Sequence, residues 1–185
     1  MRVIAGKARR LMLKSSPGFD TRPTLDKIKE TLFNILQPDI PGSRFLDLFS
    51  GSGSIGIEAL SRGASQCVFV ENNRKALQCI LDNLEHTHLE EDAVVIGKSV
   101  LGAISELALR KFAFDIVYID PPYQAGYEQE TLRALAQTGI ISPETQVVLE
   151  TDLRNQLDFI EESDFLIVRE KNYKTNKHLF LRLKG

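Results

Sequence analysis

Apolar positions along the chain follow two spacings in turn, and this alternation predicts strands that are each followed by a helix. From residue 43 onward, short runs of mostly apolar residues are typical of strands buried on both faces. Such strands are predicted at residues 44–49, 66–71, 93–96, 114–120 and 145–151. Segments with apolar residues at helical spacing predict helices at residues 54–62, 73–85, 100–110 and 128–138. Strands joined by helices imply right-handed crossovers and a mostly parallel sheet with helices on both faces.

The two ends of the chain follow other patterns. Residues 1–14 alternate weakly, which predicts a short hairpin or an extended arm. An amphipathic helix with Thr24 as its N-cap is predicted next, and its apolar face holds Leu25, Ile28, Leu32, Ile35 and Leu36. Near the other end, residues 165–170 and 178–183 are predicted to pair as antiparallel strands. The sequence therefore predicts a basic arm and helix at residues 1–36, attached to one compact α/β domain at residues 37–185.

Composition narrows the class of protein. A chain of 185 residues, of which 43% are hydrophobic, suits a globular domain with a good core. No apolar stretch approaches the ~20 residues of a membrane span, and the first residues do not resemble a secretory signal, so a cytoplasmic protein is expected. Cys67 and Cys79 are too few for a disulfide scaffold. The three histidines show no metal-ligand spacing with the cysteines, so no metal is expected.

Charge is distributed unevenly, although the net charge is only −2. Residues 1–30 hold eight Lys and Arg against three acids, and residues 169–185 hold six against one. Basic ends of this kind suit a polyanionic partner such as a nucleic acid, and the alternative is that they only keep the protein soluble. The candidates for contact with phosphates are Lys7, Arg9, Arg10, Arg22, Lys171 and Lys174.

A glycine-rich segment, FLDLFSGSGSIG at residues 45–56, lies between the first parallel strand and its helix. Its glycines follow the spacing G-x-G-x-x-G, which lets the backbone turn sharply and approach a nucleotide cofactor. Asp47 can accept a hydrogen bond from an ammonium group but would repel a pyrophosphate, so it favours S-adenosylmethionine over a nicotinamide dinucleotide. Glu71 ends the next strand and suits the ribose hydroxyls of either cofactor. The alternative is that both acids only cap helices.

The segment VYIDPPY, at residues 117–123, ends the fourth strand. Two adjacent prolines supply no N–H group to a sheet, so they cannot continue the strand. The Asp120 carboxylate and a free carbonyl of the proline turn are both acceptors, which suits a planar NH₂ group. Tyr123 can stack on the aromatic ring that carries this amine. The segment therefore predicts a site for an exocyclic amine of a nucleobase, beside the electrophilic sulfonium methyl group, and the alternative is an ordinary rigid turn.

These residues resemble those of class I S-adenosylmethionine-dependent methyltransferases with a DPPY motif. More closely, the chain is similar to the bacterial 16S rRNA guanine-N2 methyltransferase family (the RsmD type). The similarity covers nearly the whole chain and includes RVIAGKARR at the start, TRPTLDKIKETLFNIL (21–36), LDLFSGSGSIGIEALSRGA (46–64), FVENN (69–73), FDIVYIDPPY (114–123) and VVLE (147–150).

The resemblance implies a Rossmann-like, seven-stranded sheet of order 3-2-1-4-5-7-6 whose last strand is antiparallel. It also implies action on a guanine of 16S rRNA, within a partly assembled small ribosomal subunit, and without a membrane or a metal. The residues that would hold the target base and catalyse transfer are Asp120, Pro121, Pro122 and Tyr123. The residues that would bind S-adenosylmethionine are Asp47, Phe49, Ser50, Gly51, Gly53, Glu71, Asn72 and Ser99.

Two segments depart from the family pattern. An acid that contacts the adenine amine commonly follows the third strand, whereas this chain has GKSV at residues 97–100, with Ser99 as a substitute. Near the end, Tyr173-Lys174 stands where the family has Tyr-Gly.

Three other functions remain open from the sequence. An adenine-N6 methyltransferase on DNA or RNA shares the DPPY chemistry, although the lack of a separate target-recognition domain argues against DNA. A nicotinamide oxidoreductase would share the glycine loop, but Asp47 and the DPPY segment argue against it. A non-catalytic RNA-binding assembly factor could keep the cofactor pocket without transferring a methyl group.

Overall fold

A computed structural model describes residues 1–15, 23–122 and 126–185 of the chain, without the side chains of residues 23–25. Arg22 and Tyr123, both predicted to be functional, therefore lie outside the described residues. The chain divides into two compact units, Met1–Lys98 and Ser99–Gly185. The predicted boundary at residue 36 lies within the first unit.

Seven strands form a sheet of order β3-β2-β1-β4-β5-β7-β6. The strands are β1 (Arg44–Leu48), β2 (Gln66–Val70), β3 (Ala93–Ile96), β4 (Ile116–Ile119), β5 (Gln146–Asp152), β6 (Phe165–Asn172) and β7 (Asn176–Leu183). β2 is parallel to both β1 and β3, and β4 is parallel to β5. β7 runs antiparallel to both of its neighbours, β5 and β6. The predicted fold class, strand order and antiparallel last strand are confirmed.

Five α-helices accompany these strands in the described residues. They are α1 (Pro23–Leu36), α2 (Ser54–Ser61), α3 (Arg74–Thr87), α4 (Val100–Leu109) and α5 (Tyr127–Thr138). All five lie where apolar periodicity predicts them. The predicted N-cap of α1 is wrong, because the helix already begins at Pro23 and Thr24 lies in its first turn. Proline suits the first turn of a helix because its φ is fixed near the helical value and the N–H it lacks would have no helical partner.

In the first unit, α2 packs unusually close to β2. Apart from Ile55, all of its residues are buried, and Gly56 faces the strand. A Cβ atom at residue 56 would lie 2.3 Å from Phe69 Cε1 and 2.6 Å from Cys67 Sγ. Because real Cβ contacts are never this short, the third glycine of the loop motif serves helix–strand packing.

The N-terminal arm, residues 1–15, folds back on α2. The N–H groups of Ile4 and Ala5 donate to the Glu58 carboxylate at 2.8 and 3.0 Å. Ala8 N–H donates to Ser61 Oγ at 3.0 Å, and Arg2 and Met12 form an isolated antiparallel bridge. Side-chain acceptors on α2 therefore help to fix the arm, which also has backbone hydrogen bonds of its own, such as Val3 N–H to the Leu11 carbonyl at 3.0 Å.

Glu58 is also the centre of a buried ionic cluster. Arg62 Nε lies 2.7 Å and Lys29 Nζ 3.4 Å from its carboxylate oxygens, and all three side chains are almost inaccessible to solvent. Burial lowers the pKa of Lys29, and the charge of Glu58 opposes this shift. The two cations satisfy a carboxylate that would be costly to bury alone.

In the second unit, β6 lies at an edge of the sheet and exposes Leu166, Ile167 and Val168. Its register with β7 shifts between Ile167 and Arg169. β4 and β5 lie nearer the middle of the sheet than β6 does. The candidate functional residues of this unit lie near their carboxyl ends.

Candidate active site

The glycine loop follows β1 through a series of left-handed residues. Phe49, Gly51 and Gly53 have φ values of +62°, +55° and +77°, so glycine relieves strain at two of the three positions. A Cβ atom at Gly51 would meet no heavy atom within 4 Å, whereas one at Gly53 would lie 3.3 Å from Ile80. The loop is therefore packed against the protein at Gly53 and open at Gly51.

Two polar side chains hold this loop in place. The buried hydroxyl of Ser50 donates to the Asp47 carbonyl at 2.7 Å and accepts from Val70 N–H at 2.9 Å. Asn83 Nδ2 donates to the Ser52 carbonyl at 2.9 Å, while its Oδ1 accepts from Lys14 N–H at 2.8 Å. Ser50 thus binds the loop to β2, and Asn83 binds it to the arm. Direct cofactor contacts by Phe49 and Ser50 stay predictions.

Asp47 is a buried acid near the end of β1. Its Oδ2 accepts from the N–H of Gly56 at 3.0 Å, in the first turn of α2. Burial raises the pKa of Asp47 to about 7; the charge of Glu71 adds to this shift, and the Gly56 hydrogen bond opposes it. The carboxyl group is therefore ready to ionise at neutral pH when a cation approaches.

Glu71 follows β2 and binds the loop from the other side. Its Oε2 accepts from Gly51 N–H at 2.9 Å, and its Oε1 accepts from the N–H groups of Asn72 and Asn73, both at 2.8 Å. The alternative was that Asp47 and Glu71 only cap helices. It applies in part, because Asp47 accepts from the N–H of Gly56 in α2. A carboxylate has about four acceptor positions, so Glu71 keeps about one for a ribose hydroxyl.

Asn72 and Ser99 are two further residues that were predicted to bind the cofactor. Asn72 is exposed beyond β2, and its neighbour Asn73 caps α3 by accepting from Lys75 N–H at 2.9 Å. Ser99, in the second unit, caps α4 and accepts from Gly102 N–H at 3.3 Å. Cofactor contacts by Asn72 and Ser99 stay predictions.

The acid and prolines of the DPPY segment follow β4 directly. All four residues of the strand are buried, Asp120 is partly exposed, Pro121 is buried and Pro122 is exposed. The strand ends before the prolines, as their lack of N–H groups requires. Asp120 thus lies at the carboxyl end of a central strand.

Glu150 occupies the equivalent position on the neighbouring strand. Ile119 of β4 pairs with Leu149 of β5, and Asp120 and Glu150 are the next residues on the two strands. Glu150 had no predicted role, and it lies within β5, which continues to Asp152.

A hydrogen-bonded cluster surrounds Glu150. The Tyr118 hydroxyl and Asn176 Nδ2 both donate to its carboxylate, and His178 Nε2 lies 2.8 Å from its Oε2. His178 Nδ1 lies 3.1 Å from the Tyr173 hydroxyl. The unusual Tyr173-Lys174 pair is thus joined to this cluster through its tyrosine.

The cluster sets the ionisation of its members. Burial by itself would raise the pKa of Glu150, but the hydrogen bond and charge of His178, with the donors Tyr118 and Asn176, hold that pKa below its ordinary value. Burial, and then the charge of Glu150, raises the pKa of Tyr173 to about 12. At neutral pH the cluster therefore holds a carboxylate and a neutral phenol.

The basic candidates lie at the two ends of the described chain. Lys7, Arg9 and Arg10 are exposed on the turn of the arm, Lys174 is exposed between β6 and β7, and Lys171 is half-buried. Contact of these side chains with RNA stays a prediction.

Two further findings apply to residues 1–15, 23–122 and 126–185. No helix within these ranges combines the length and the hydropathy needed to span a bilayer. No group of three or more His, Cys, Asp or Glu side chains there is placed to hold a metal ion.

Comparison with known proteins gives matches along nearly the whole chain. A family model described as "Conserved hypothetical protein 95" matches residues 1–182. "Putative rRNA methyltransferase YlbH" of Bacillus subtilis is 36% identical over 173 residues, 94% of each chain. "Ribosomal RNA small subunit methyltransferase D" of Escherichia coli K12 is also 36% identical over 173 residues, covering 92% of this chain and 84% of that protein. The solved structure of "Putative methyltransferase yhhF" from Escherichia coli has a TM-score of 0.83 at 32% identity, covering 100% of this chain and 98% of that one.

Proposed function

We propose a function for this chain, which belongs to the family described as Conserved hypothetical protein 95. Its identity to a ribosomal RNA methyltransferase confirms the predicted resemblance to such enzymes. We infer that the protein transfers a methyl group from S-adenosylmethionine to the exocyclic N2 amine of a guanine in 16S rRNA. The observation that carries this proposal is the pair of strand-end acids on strands adjacent in the sheet, Asp47 near the end of β1 and Asp120 directly after β4.

The first unit supplies residues that suit S-adenosylmethionine. Asp47, with a pKa of about 7, fits the α-ammonium group of the methionine part. The open side of Gly51 leaves room for the cofactor, and Glu71 has an acceptor position for a ribose hydroxyl. A pyrophosphate would face the Asp47 carboxylate unfavourably, so these residues do not suit a nicotinamide dinucleotide. When bound, S-adenosylmethionine supplies an electrophilic methyl group on a sulfonium centre.

The second unit supplies acceptors for the amine. The lone pair of a nucleobase amine is conjugated with the ring, so the amine is a weak nucleophile. The Asp120 carboxylate, with a carbonyl of the proline turn, holds the two amine protons and turns the lone pair toward the methyl group. As the nitrogen–carbon bond forms and the sulfur–carbon bond breaks, the carboxylate stabilises the positive charge on nitrogen and accepts the proton that the product loses.

In the strand order, β1 and β4 stand next to each other at the point where the order reverses. Sheets of this type bind their ligands beyond the strand ends at such a point. A base must leave its stack to enter a site of this kind, so a single-stranded or splayed guanine is the proposed target. We propose a partly assembled small subunit, in the cytoplasm, as the substrate.

Deleting the gene tests this function. Nucleoside mass spectrometry of 16S rRNA from the deletion strain is expected to show the loss of one N2-methylguanosine, restored by the wild-type gene but not by Asp120→Ala. Loss of N6-methyladenosine instead would establish the adenine alternative. An unchanged nucleoside profile in the deletion strain would favour the non-catalytic assembly factor.

Cofactor binding is expected to release a proton below neutral pH. Free Asp47 holds a proton below pH about 7, whereas the ammonium group of S-adenosylhomocysteine favours the carboxylate. Affinity should therefore rise about tenfold between pH 6 and pH 8, with close to one proton released at pH 6. Calorimetry in two buffers of different ionisation enthalpy measures both quantities. Asp47→Asn should bind weakly without proton release, and a wild-type affinity that is flat with pH would contradict the assignment.

The raised pKa of Asp47 also makes the stability of the ligand-free protein depend on pH. The folded pKa of Asp47 lies above its unfolded value, so the unfolded state ionises first as the pH rises. The contribution of Asp47 to the free energy of unfolding therefore falls between about pH 4 and pH 7 and is constant above this range. Asp47→Asn should remove this part of the pH dependence in denaturant titrations.

The basic turn of the arm is expected to contribute salt-dependent affinity for RNA. Lys7 and Arg9 are exposed on it. Each lost phosphate contact lowers the slope of log affinity against log salt by about 0.7 on single-stranded RNA, so Lys7→Ala with Arg9→Ala should lower it by about 1.4. Filter binding to small-subunit particles across a salt series measures this slope. The matched control replaces Lys111 and Arg133, exposed in the second unit, and an equal change in both pairs would exclude a specific role for the arm.

A further inference from the structure

Asp120 is the residue directly after β4, and Glu150 is the corresponding position on β5, two residues before that strand ends. They directly follow the Ile119–Leu149 pair, and adjacent strands are about 4.8 Å apart. Tyr118 reaches the Glu150 carboxylate, so these two side chains share one face of the sheet. Since strand residues two apart project to the same face, the position of Asp120 belongs to that face as well. Two acids thus stand next to each other where one suffices to hold an amine.

The contacts around Glu150 fix its carboxylate but do not use all of its acceptor positions. Tyr118 and His178 approach Oε2, and Asn176 approaches Oε1. Three donors leave about one of four acceptor positions for a further donor. The side chain of Glu150 remains 13% exposed while that of His178 is fully buried, so the accessible part of the pair is the carboxylate.

A second acceptor in the cluster lacks a donor. Asn176 is 4% exposed, and its Oδ1 has no hydrogen-bond partner among the described residues. The orientation of the amide is fixed because its Nδ2 must face the Glu150 carboxylate. Buried polar atoms are normally paired, so an unpaired acceptor beside a partly exposed carboxylate indicates a place for a ligand with N–H donors.

The neighbours of the amine differ between the two candidate bases. In guanine, the 2-amine is flanked by N1–H, which is a donor. In adenine, the 6-amine is flanked by N1 and N7, which are both acceptors. A carboxylate beside the amine-binding acid would therefore accept a hydrogen bond from guanine, whereas it would face a lone pair of adenine.

We propose that Glu150 is a specificity-determining residue that accepts the N1–H of the target guanine while Asp120 holds its 2-amine. This inference rests on the proposed function and deepens it. Tyr118, Asn176 and His178 are positioning residues that keep the Glu150 carboxylate in one orientation. Accepting N1–H also directs electron density toward the neighbouring amine, which makes its nitrogen a better nucleophile.

A base analogue tests this proposal directly. Once the modified guanosine is mapped, small-subunit particles are reconstituted with 2-aminopurine riboside at that position, which keeps the 2-amine but lacks N1–H. For the wild-type protein we expect kcat/KM to be about 10- to 100-fold lower on the analogue, as for a lost hydrogen bond to a charged acceptor. Glu150→Gln should lose about the same factor on guanosine, yet change little on 2-aminopurine, so the discrimination disappears. Glu144→Gln, an exposed acid just before β5, is the matched control and should keep the discrimination.

The outcomes separate this inference from the function on which it rests. If Glu150→Gln is active and discriminates as strongly as the wild type, the inference is wrong and the proposed function stands. If the wild-type protein methylates neither particle, the proposed function itself fails. Where Glu150→Gln does not fold, Glu150→Asp draws the carboxylate back by one methylene and should reduce discrimination while cofactor affinity is kept. A purely structural role would lower the rates on both particles equally.

Discussion

Asp120→Asn is expected to lower the rate of methyl transfer about 10³-fold. Asparagine keeps the size of the side chain but loses its negative charge, and one of its two acceptor oxygens becomes an NH₂ group that opposes the amine of the base. The effect should fall on the transition state, where positive charge develops on nitrogen. Binding of the RNA, which phosphate contacts dominate, should change less than about threefold.

Single-turnover kinetics with preformed cofactor complex separate these effects. The rate of transfer is measured on small-subunit particles, and cofactor affinity is measured by calorimetry. Asp158→Asn, an exposed acid before the last two strands, is the matched control and should behave as the wild type. Normal turnover by Asp120→Asn would show that Asp120 has no catalytic role. A loss of rate that weaker cofactor binding fully explains would show that Asp120 acts in cofactor binding instead.

Glu58→Gln is expected to lower the free energy of unfolding by about 3–5 kcal/mol, because it leaves two buried cations without their counter-charge. The side chains of Lys29 and Arg62 are only 3% and 5% exposed, so solvent cannot replace the carboxylate. The N–H groups of Ile4 and Ala5 also lose one of two acceptors. Such a loss is a large part of the total stability of an ordinary domain.

Denaturant unfolding of the variant measures the loss, and Glu85→Gln, exposed on α3, is its control. The arm is fixed by Glu58, so limited proteolysis should also cleave within residues 1–15 faster than in the wild type. A loss below about 1 kcal/mol would show that the cluster does not contribute as a buried ion pair does.

The sequence predicts most of the fold because its elements have strong local signals. Apolar runs locate all seven strands, and helical periodicity locates all five helices of the described chain. The order 3-2-1-4-5-7-6 came from the family resemblance, since periodicity does not determine which strands are neighbours. The errors of detail are small: α1 begins at Pro23 instead of being capped by Thr24, β4 is shorter than predicted, and β6 and β7 are each two residues longer.

Residues of the candidate site were predictable where an acidic residue stands at the end of a strand. Asp47, Glu71 and Asp120 carry that signal, whereas Glu150 lies within β5, two residues before the strand ends, and had no predicted role. What no local pattern could show is which residues meet there. His178 reaches Glu150 across 28 positions through the antiparallel register of β5 and β7.

The Glu58 cluster was missed for the same physical reason. Its partners Ile4 and Lys29 come from segments 54 and 29 positions away, so their contact depends on how the arm and α1 pack against α2. The local sign was an acid in the otherwise uncharged helix SIGIEALS. A charged residue at such a position must find buried partners, which the sequence does not name.

The identity of the methylated nucleoside tests the central claim most directly. Purified protein is incubated with methyl-labelled S-adenosylmethionine and small-subunit particles from cells that lack the gene, and the RNA is digested to nucleosides. We predict that the label appears as N2-methylguanosine at a single position of 16S rRNA. Label in N6-methyladenosine, or no transfer to RNA by a protein that binds the cofactor, would contradict the claim that Asp120 presents a guanine amine to the methyl group.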